Sequence, residues 1–264
     1  MTRARKLTTV GDQITTLLTG FGLTTAAEEL VSRFTEGEQQ AAFPLLLEVF
    51  ELEAHERRER RTARLRHASK LPPGKTFDTL DEGRLPAALV RKLHDLAEGD
   101  FLDDATNVLA FGLPGVGKSH AMCAVGHALI DRGQSVLFVP TYTLVQQLLV
   151  AKRDLQLPRA LRKLDHFAVL LLDDLGYIQQ SPDEAEVLFT LLAERYERRS
   201  VILTSNLVFG QWERIFRDQM ATAAAIDRLV HHSVILEFDV PSFRTERAKR
   251  RGKDEPPSSE AAAS

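Results

Sequence analysis

The first fifty residues carry apolar positions at the spacing of amphipathic helices. A first helix is predicted by four apolar residues at helical intervals: Ile14, Leu17, Leu18 and Phe21. A second helix is predicted where Thr25 and Glu28 match a capping box, followed by an apolar face: Leu30, Val31 and Phe34. The pattern indicates an all-helical region at the start of the chain.

A third helix is predicted with Pro44 in its first turn. Its predicted apolar face comprises Leu46, Val49, Phe50 and Leu52. Basic residues then dominate residues 57–70, and the Leu-Pro-Pro-Gly sequence at 71–74 opposes helix and permits a turn. We therefore predict a small helical domain over residues 1–71, for interaction with a partner or with DNA.

From residue 75 onward, short apolar runs alternate with helical patterns. Strands are predicted at residues 108–111, 136–139, 168–172 and 201–204, and helices at 119–132, 143–152 and 184–197. This alternation predicts an α/β fold with a parallel sheet covered by helices, extending over residues 72–251. Residues 252–264 are rich in Pro, Ser, Ala and Glu and are expected to be disordered.

Composition narrows the class of protein. Of the 264 residues, 44% are hydrophobic and 27% charged, and the net charge is −3, so the chain is not a basic nucleic-acid coat. The single cysteine, Cys123, rules out an internal disulfide and a cysteine-based zinc site, and is expected to be inert. No signal peptide or bilayer-length apolar run is visible. We expect a cytoplasmic protein that does not enter a membrane.

The strongest chemical signal is the sequence Gly-Leu-Pro-Gly-Val-Gly-Lys-Ser at residues 112–119, which matches G-x-x-x-x-G-K-[ST] throughout. It follows a predicted strand and opens a predicted helix. Glycines let the backbone wrap a phosphate, and the helix N-terminus favours negative charge. The pattern predicts ATP binding, with Lys118 at the β and γ phosphates and Ser119 as a Mg²⁺ ligand.

Two further predicted strands end in polar residues suited to the same chemistry. The apolar run 168–172 is followed by Asp173, which we assign to Mg²⁺, and by Asp174, which we assign as general base for the attacking water. The run 201–204 leads to Asn206, which is placed to contact the γ-phosphate or orient the water. The pattern thus predicts an ATPase.

Taken together, the motifs resemble those of IstB-like transposition helper ATPases, relatives of the DnaC helicase loaders. The similarity covers roughly residues 75–247. It rests on KTFD at 75–78, GLPGVGKSH at 112–120, LLLDDLGY at 170–177, ERYERRS at 194–200, TSN at 204–206, QWERIF at 211–216, AAAIDRLVHHS at 223–233 and PSFR at 241–244. The phosphate-loop motif is common to many ATPases, whereas the combination of the others is specific.

The resemblance implies a P-loop AAA+ fold, a three-layer αβα sandwich with strand order 5-1-4-3-2, beside the helical N-terminal domain. It implies an oligomer that assembles with ATP on double-stranded DNA and regulates a transposase encoded alongside it. It also implies that Arg228 is an arginine finger acting on a neighbouring subunit, and that Arg244 is a sensor II-like arginine. The nucleotide-contacting residues would be Gly112, Leu113, Pro114, Gly115, Val116, Gly117, Lys118, Ser119 and His120.

The chain departs from the AAA+ pattern in two ways. Many members have Glu where Asp174 stands, so the shorter side chain is expected to tune hydrolysis. Little sequence follows Asn206, so a full-length C-terminal helical lid is not expected.

DNA contacts are expected from clusters of cations that pair with phosphates. One candidate is the run 57–70, and the other comprises Lys152, Arg153, Arg159, Arg162 and Lys163. Either could instead be a solvated helix face. Few aromatic residues accompany these charges, so contacts to the DNA backbone are favoured over base stacking.

Two further pairs of residues are not expected to bind a ligand. His231 and His232 are not expected to bind metal, since adjacent helical residues point apart and no acid lies at ligand spacing. Trp212 and Phe216, one helical turn apart, are expected to pack in the core.

Two other functions remain open at this point. A helicase loader would use its helical domain to bind a replicative helicase, and a neighbouring transposase gene would argue against it. A nucleotide-switched scaffold would bind ATP with negligible turnover.

Overall fold

The computed structural model describes residues 9–176, 181–212 and 219–243. The chain divides into two compact units, residues 1–64 and 65–264, and the boundary falls within the third helix. That helix ends at Ser69, just before the predicted turn at residues 71–74. The proposed division after residue 71 stays a prediction, and so does the disordered tail 252–264, which lies outside the described residues.

The first unit is helical, as predicted. It contains α1 (Val10–Gly20), α2 (Thr24–Glu36) and most of α3 (Phe43–Ser69). Ile14, Leu18 and Ala27 form its buried centre. The predicted capping box at Thr25 is wrong, because α2 begins one residue earlier, at Thr24, and has no side-chain cap. A capping box instead begins α1, where Thr9 and Asp12 bond reciprocally at 3.1 and 2.9 Å.

The predicted apolar face of α3 is only half right. Leu46, Leu47 and Phe50 pack against the centre of the first unit. Val49 and Leu52, which were predicted to pack there too, are 53% and 61% exposed. Apolar residues occur on two sides of this helix, so periodicity alone could not identify the side that packs.

The second unit is an α/β sandwich. Its five strands are β1 (Asn107–Gly112), β2 (Val136–Pro140), β3 (Val169–Leu175), β4 (Ser200–Ser205) and β5 (Ser233–Phe238). All strand pairs are parallel, in the order β2-β3-β4-β1-β5. This is the predicted order 5-1-4-3-2 read from the other edge. Parallel sheets need cover on both faces, which explains the continuous apolar runs.

Helices cover both faces of this sheet. The second unit contains α4 (Ala87–Glu98), α5 (Lys118–Asp131), α6 (Thr141–Arg153), α7 (Leu157–Asp165), α8 (Pro182–Arg195) and α9 (Gln219–Val230). Val108 and Ala110 of β1 face the core formed with α4 and α5. Leu109 and Phe111 face the core formed with α6, α8 and α9. The alternation follows from the two-residue period of a strand.

A buried arginine connects several backbone segments near the amino ends of β3 and β4. Arg195, at the end of α8, donates to the carbonyls of Leu164, Phe167, Ala168 and Ser200 at 3.0–3.2 Å. Burial lowers the pKa of its guanidinium to about 10. This explains the first arginine of the ERYERRS motif as a structural residue that joins α7, β3 and β4.

Trp212 is fully buried, as expected, and its indole nitrogen donates to the carbonyl of Leu207 at 3.1 Å. Its ring centroid lies 6.2 Å from that of Phe111. Phe216 lies outside the described residues. None of the helices that the structure describes is long and apolar enough to cross a bilayer.

Candidate nucleotide site

A glycine-rich loop connects the end of β1 to the start of α5, at the carboxyl edge of the sheet. Gly112 has φ +150°, and a Cβ atom there would lie 2.6 Å from the carbonyl oxygen of Phe238. Gly117 has φ +99° and precedes the first helical residue. These positions need glycine because any side chain would clash or strain the backbone. The glycines therefore permit the tight turn from β1 into the N-terminus of α5.

Lys118 holds the loop in shape from inside. Lys118 is only 8% exposed, and its ammonium donates to the carbonyls of Gly112 and Leu113 at 2.7 and 2.9 Å. The positive charge therefore lies within the curve of the loop, beside the first amides of α5. An ammonium, backbone amides and a helix N-terminus are donors suited to a phosphate chain.

A cavity of about 330 Å³ adjoins this loop, within the size range of small-ligand pockets. It is lined by Lys75, Thr79, Leu80, Asp81, Gly115, Gly117, Lys118, Ser119, His120 and Phe243. The imidazole of His120 lies 3.0 Å from the Thr79 hydroxyl and 3.2 Å from the carbonyl of Thr76. His120 thus joins the loop to the segment before α4.

Phe243 forms a wall of the cavity that sequence reasoning missed. Its backbone amide donates to the carbonyl of Gly115 at 2.9 Å, and its ring approaches Gly117. The guanidinium carbon of Arg84 lies 4.0 Å from the ring centroid of Phe243. The next residue, Arg244, lies outside the described residues, so its predicted role stays a prediction.

The two acids predicted at the end of β3 lie at an irregularity in the sheet. Leu172 pairs with Leu203 of β4, whereas Leu175 pairs with Ser205, so β3 has one extra residue in between. Asp174 has φ +63°, a conformation that few non-glycine residues adopt. The bulge gives Asp173 and Asp174 an orientation that a regular ladder would not provide.

Thr204 links both acids through one hydroxyl. Its Oγ1 donates to Asp173 Oδ1 at 2.7 Å and accepts from the amide of Asp174 at 2.8 Å. The hydroxyl therefore occupies one carboxylate oxygen and supports the unusual backbone of the next residue. The sequence identified Thr204 only as part of the TSN motif. Its hydrogen bonds to Asp173 and Asp174 could not be predicted, because they join two strands that are distant in sequence.

Asn206 follows β4 at the same edge of the sheet. Its side-chain oxygen is buried and has no hydrogen-bond partner among the described residues. Buried polar atoms are normally paired, so this unpaired acceptor at the carboxyl edge of the sheet indicates a bond completed by a donor such as a water molecule. This observation fits the predicted role of Asn206.

Arg228 lies near the amino ends of the sheet strands, whereas the glycine-rich loop lies at their carboxyl ends. The carbonyl of its neighbour Leu229 accepts from Asn107 Nδ2 at 3.2 Å, and Asn107 is the first residue of β1. The glycine-rich loop begins at the last residue of β1, roughly 17 Å away for a six-residue strand. An arginine side chain is far shorter than this separation. The structure therefore does not bring Arg228 to the phosphate loop of its own chain.

The side chain of Arg228 is half-buried. Its guanidinium carbon lies 4.7 Å from the ring centroid of Phe189 on α8, and Nη1 donates to the carbonyl of Ala224 at 3.1 Å. These contacts orient the side chain from α9 against α8.

His231 and His232 lie closer together, and closer to an acid, than the sequence predicts, so both expectations about their placement are wrong. Their rings lie 4.3 Å apart, and the structure brings an acid, Glu197, near them. All three side chains are exposed, and His231 Nδ1 already lies 3.0 Å from the hydroxyl of Tyr196. Cys123 matches its predicted inertness, because burial raises the pKa of its thiol to about 12.

Comparison with known proteins agrees with this geometry. A family model described as "IstB-like ATP binding protein" matches residues 15–251. An insertion sequence ATP-binding protein of Sinorhizobium fredii is 44% identical over 82% of this chain and 74% of its own. The ATP-binding protein of insertion sequence IS5376 from Geobacillus stearothermophilus is 38% identical over 78% and 81%.

Solved structures show the same fold at low sequence identity. AMPPCP-bound DnaA from Aquifex aeolicus has a TM-score of 0.55 at 17% identity, covering 70% of this chain and 56% of that one. The DnaI crystal structure has a TM-score of 0.54 at 22% identity, covering 64% and 95%. The second unit thus has the P-loop AAA+ fold, and the chain belongs to the IstB-like family of insertion sequence ATP-binding proteins.

Proposed function

We propose that this protein hydrolyses ATP, assembles with ATP on double-stranded DNA, and thereby regulates the transposase of its insertion sequence. The observation that carries the proposal is the arrangement at one edge of the sheet. The glycine-rich loop and Lys118 follow β1. Asn206 follows β4, which is beside β1 in the sheet order, and Asp173 and Asp174 lie at the end of β3, one strand further away.

In this proposal the loop binds the triphosphate. Lys118 exchanges its carbonyl partners for the β and γ phosphates, and the amides at the start of α5 donate to the same oxygens. Ser119 and Asp173 supply oxygens suited to Mg²⁺, which, when bound, offsets charge on the phosphates. Thr204 bonds to Asp173 Oδ1, so we assign Oδ2 as the oxygen that would bind the metal.

Hydrolysis requires a water held in line with the γ-phosphate. We assign Asp174 to accept its proton, and Asn206 either to orient the water, which donates to the side-chain oxygen that is unpaired in the described structure, or to donate to the γ-phosphate through its amide nitrogen. Arg228 completes the site of a neighbouring subunit, because the opposite edges of one sheet cannot meet within one chain. Turnover would then depend on assembly.

Substitution of Thr204 tests how the acids are held. Thr204→Val is expected to keep ATP affinity within about threefold and to lower kcat at least ~10-fold, because it leaves the Asp174 amide without its acceptor and Asp173 without its donor. Thr204→Ser should restore most turnover because it keeps the hydroxyl. Steady-state kinetics with thermal melting would test this. Wild-type kcat in a folded valine variant would contradict it.

Two basic clusters support the DNA-binding part of the proposal unequally. Lys152 pairs with Glu186 at 2.8 Å, and this hydrogen bond raises the pKa of its ammonium, so it serves mainly to join α6 to α8. In the first unit, a groove of about 960 Å³ has several arginines on its wall. These are Arg57, Arg58, Arg60, Arg61 and Arg64. We favour this groove as the phosphate-binding surface because five arginines line one wall, although Arg57 and Arg60 also pair with Glu53 and Glu56.

ATP turnover with and without duplex DNA tests the whole proposal. We expect duplex DNA to stimulate hydrolysis at least ~5-fold in wild-type protein, and Asp174→Asn to bind ATP and DNA but to lose this turnover. Sizing with ATP and DNA present should show a larger assembly than with either absent. No turnover under any condition would instead favour a nucleotide-switched scaffold. Turnover stimulated by a replicative helicase and not by DNA would favour a helicase loader.

A further inference from the structure

Helix α3 has two halves of opposite charge. Residues 43–56 contain four glutamates and no lysine or arginine. Residues 57–70 contain six arginines, one lysine and one glutamate. A single continuous helix thus carries an acidic segment followed directly by a basic one, and the two segments attract different partners.

The acidic half also carries an apolar stripe that its own unit does not cover. Leu45, Val49 and Leu52 are 65%, 53% and 61% exposed. Their spacing of four and then three residues places them on one face of the helix, as at the d, a and d positions of a coiled coil. We name these three residues the α3 stripe.

The core of the first unit does not need the α3 stripe. Leu46, Leu47 and Phe50 supply the inward contacts of the same helix turns. A stripe of large apolar side chains that remains in water is typical of a docking surface for another helix.

Acids border the α3 stripe. Glu48 and Glu53 occupy the flanking positions that correspond to g and e of a coiled coil. Arg57 donates to Glu53 and thereby holds the pKa of that carboxyl below its usual value. Glu48 and Glu51 form no ion pair with any described residue. The border is therefore negative on the side of Glu48, whereas Arg57 and Arg60 offset the charge of Glu53 on the other side.

From this pattern we propose that the α3 stripe binds a basic amphipathic helix of a partner protein. On the function proposed above, on which this assignment rests, that partner is the transposase. A second copy of the chain is a poor occupant, because Glu48 would face Glu53 of the other copy in a parallel pair and Glu48 of the other copy in an antiparallel pair. Duplex DNA is a poor occupant too, because the glutamates repel phosphates. DNA would instead bind the arginine-rich half of the helix.

The test uses full-length protein and a labelled amphipathic peptide of about 20 residues, with leucine at its a and d positions and lysine beside them. A matched peptide carries glutamate in place of lysine. We expect the lysine peptide to bind wild-type protein at least ~10-fold more tightly than the glutamate peptide, by fluorescence anisotropy in low salt.

Two triple variants test the roles of the acidic and basic halves of α3 separately. Leu45→Gln with Val49→Gln and Leu52→Gln should lower affinity for the lysine peptide at least ~10-fold, with an unchanged melting temperature and unchanged duplex binding. Arg58→Gln with Arg61→Gln and Arg64→Gln should weaken duplex binding and its salt dependence while peptide affinity stays the same. Glutamine is used because it favours helix.

Three results would overturn the assignment. They are equal binding of the two peptides, smaller self-association in the stripe variant, and weaker duplex binding in the stripe variant. The peptide assay contains neither ATP nor DNA, so its result is independent of the proposed function. That function fails separately if wild-type protein shows no DNA-stimulated turnover.

Discussion

Lys118→Ala is expected to lower affinity for Mg-ATP by at least ~100-fold. The ammonium makes two charge-assisted hydrogen bonds within the loop, to the carbonyls of Gly112 and Leu113. In the proposed complex these bonds are exchanged for bonds to the β and γ phosphates, so loss of the side chain removes the cation that faces the phosphates. Hydrogen bonds to charged groups contribute about 1.5–3 kcal/mol each, and about 2.7 kcal/mol corresponds to 100-fold in affinity.

Calorimetry with Mg-ATP on folded protein measures this affinity directly. Lys163→Ala is the matched control, because Lys163 is an exposed lysine on α7, away from the loop. It should bind ATP like wild type. If Lys118→Ala kept a Kd within threefold of wild type, Lys118 would not be the phosphate ligand, and the assignment of the loop would be lost.

Arg228→Ala is expected to reduce stimulated ATP turnover on the order of 10³-fold, as loss of an arginine finger does elsewhere. Nucleotide affinity should change little, because Arg228 lies at the sheet edge opposite its own loop. The variant also removes the contact with Phe189, so its melting temperature must be measured beside its kinetics. Arg198→Ala is the control, because Arg198 is exposed and pairs with Asp165.

Mixing Arg228→Ala with Lys118→Ala distinguishes action in trans from action in cis. Each variant alone lacks one half of every site. In a mixed head-to-tail assembly, an Arg228→Ala subunit supplies an intact loop and a Lys118→Ala neighbour supplies the arginine. Random pairing should therefore restore roughly a quarter of wild-type turnover. Failure of the mixture to exceed the two separate activities, in complexes of wild-type size, would remove Arg228 as a finger in trans.

The central part of the fold could be predicted from the sequence because its signals are local. Strands β1 to β4 are buried on both faces and read as continuous apolar runs. Strand β5 does not form such a run, because its buried and exposed residues alternate. The position of β5 therefore required the structure, although the resemblance implied a fifth strand.

Some residues of the candidate site could likewise be predicted from the local sequence, and others could not. The glycines, Lys118 and the acids follow strands and form a recognisable motif. Thr204 and Phe243 act through contacts with Asp173 and Gly115, which lie far from them in the sequence. Similarly, Glu197 approaches His231 only because the turns after α8 and α9 meet in space. Periodicity carries no information about such contacts.

The close approach of β5 to Gly112 affects how mutations in the loop should be interpreted. A methyl group at this position would meet the backbone of Phe238, which cannot move without separating two paired strands. An alanine scan would therefore register a defect in the sheet at residue 112, whatever the loop binds. Loss of activity there reports on architecture, and natural variation at this position should be limited to glycine even in relatives that have abandoned catalysis.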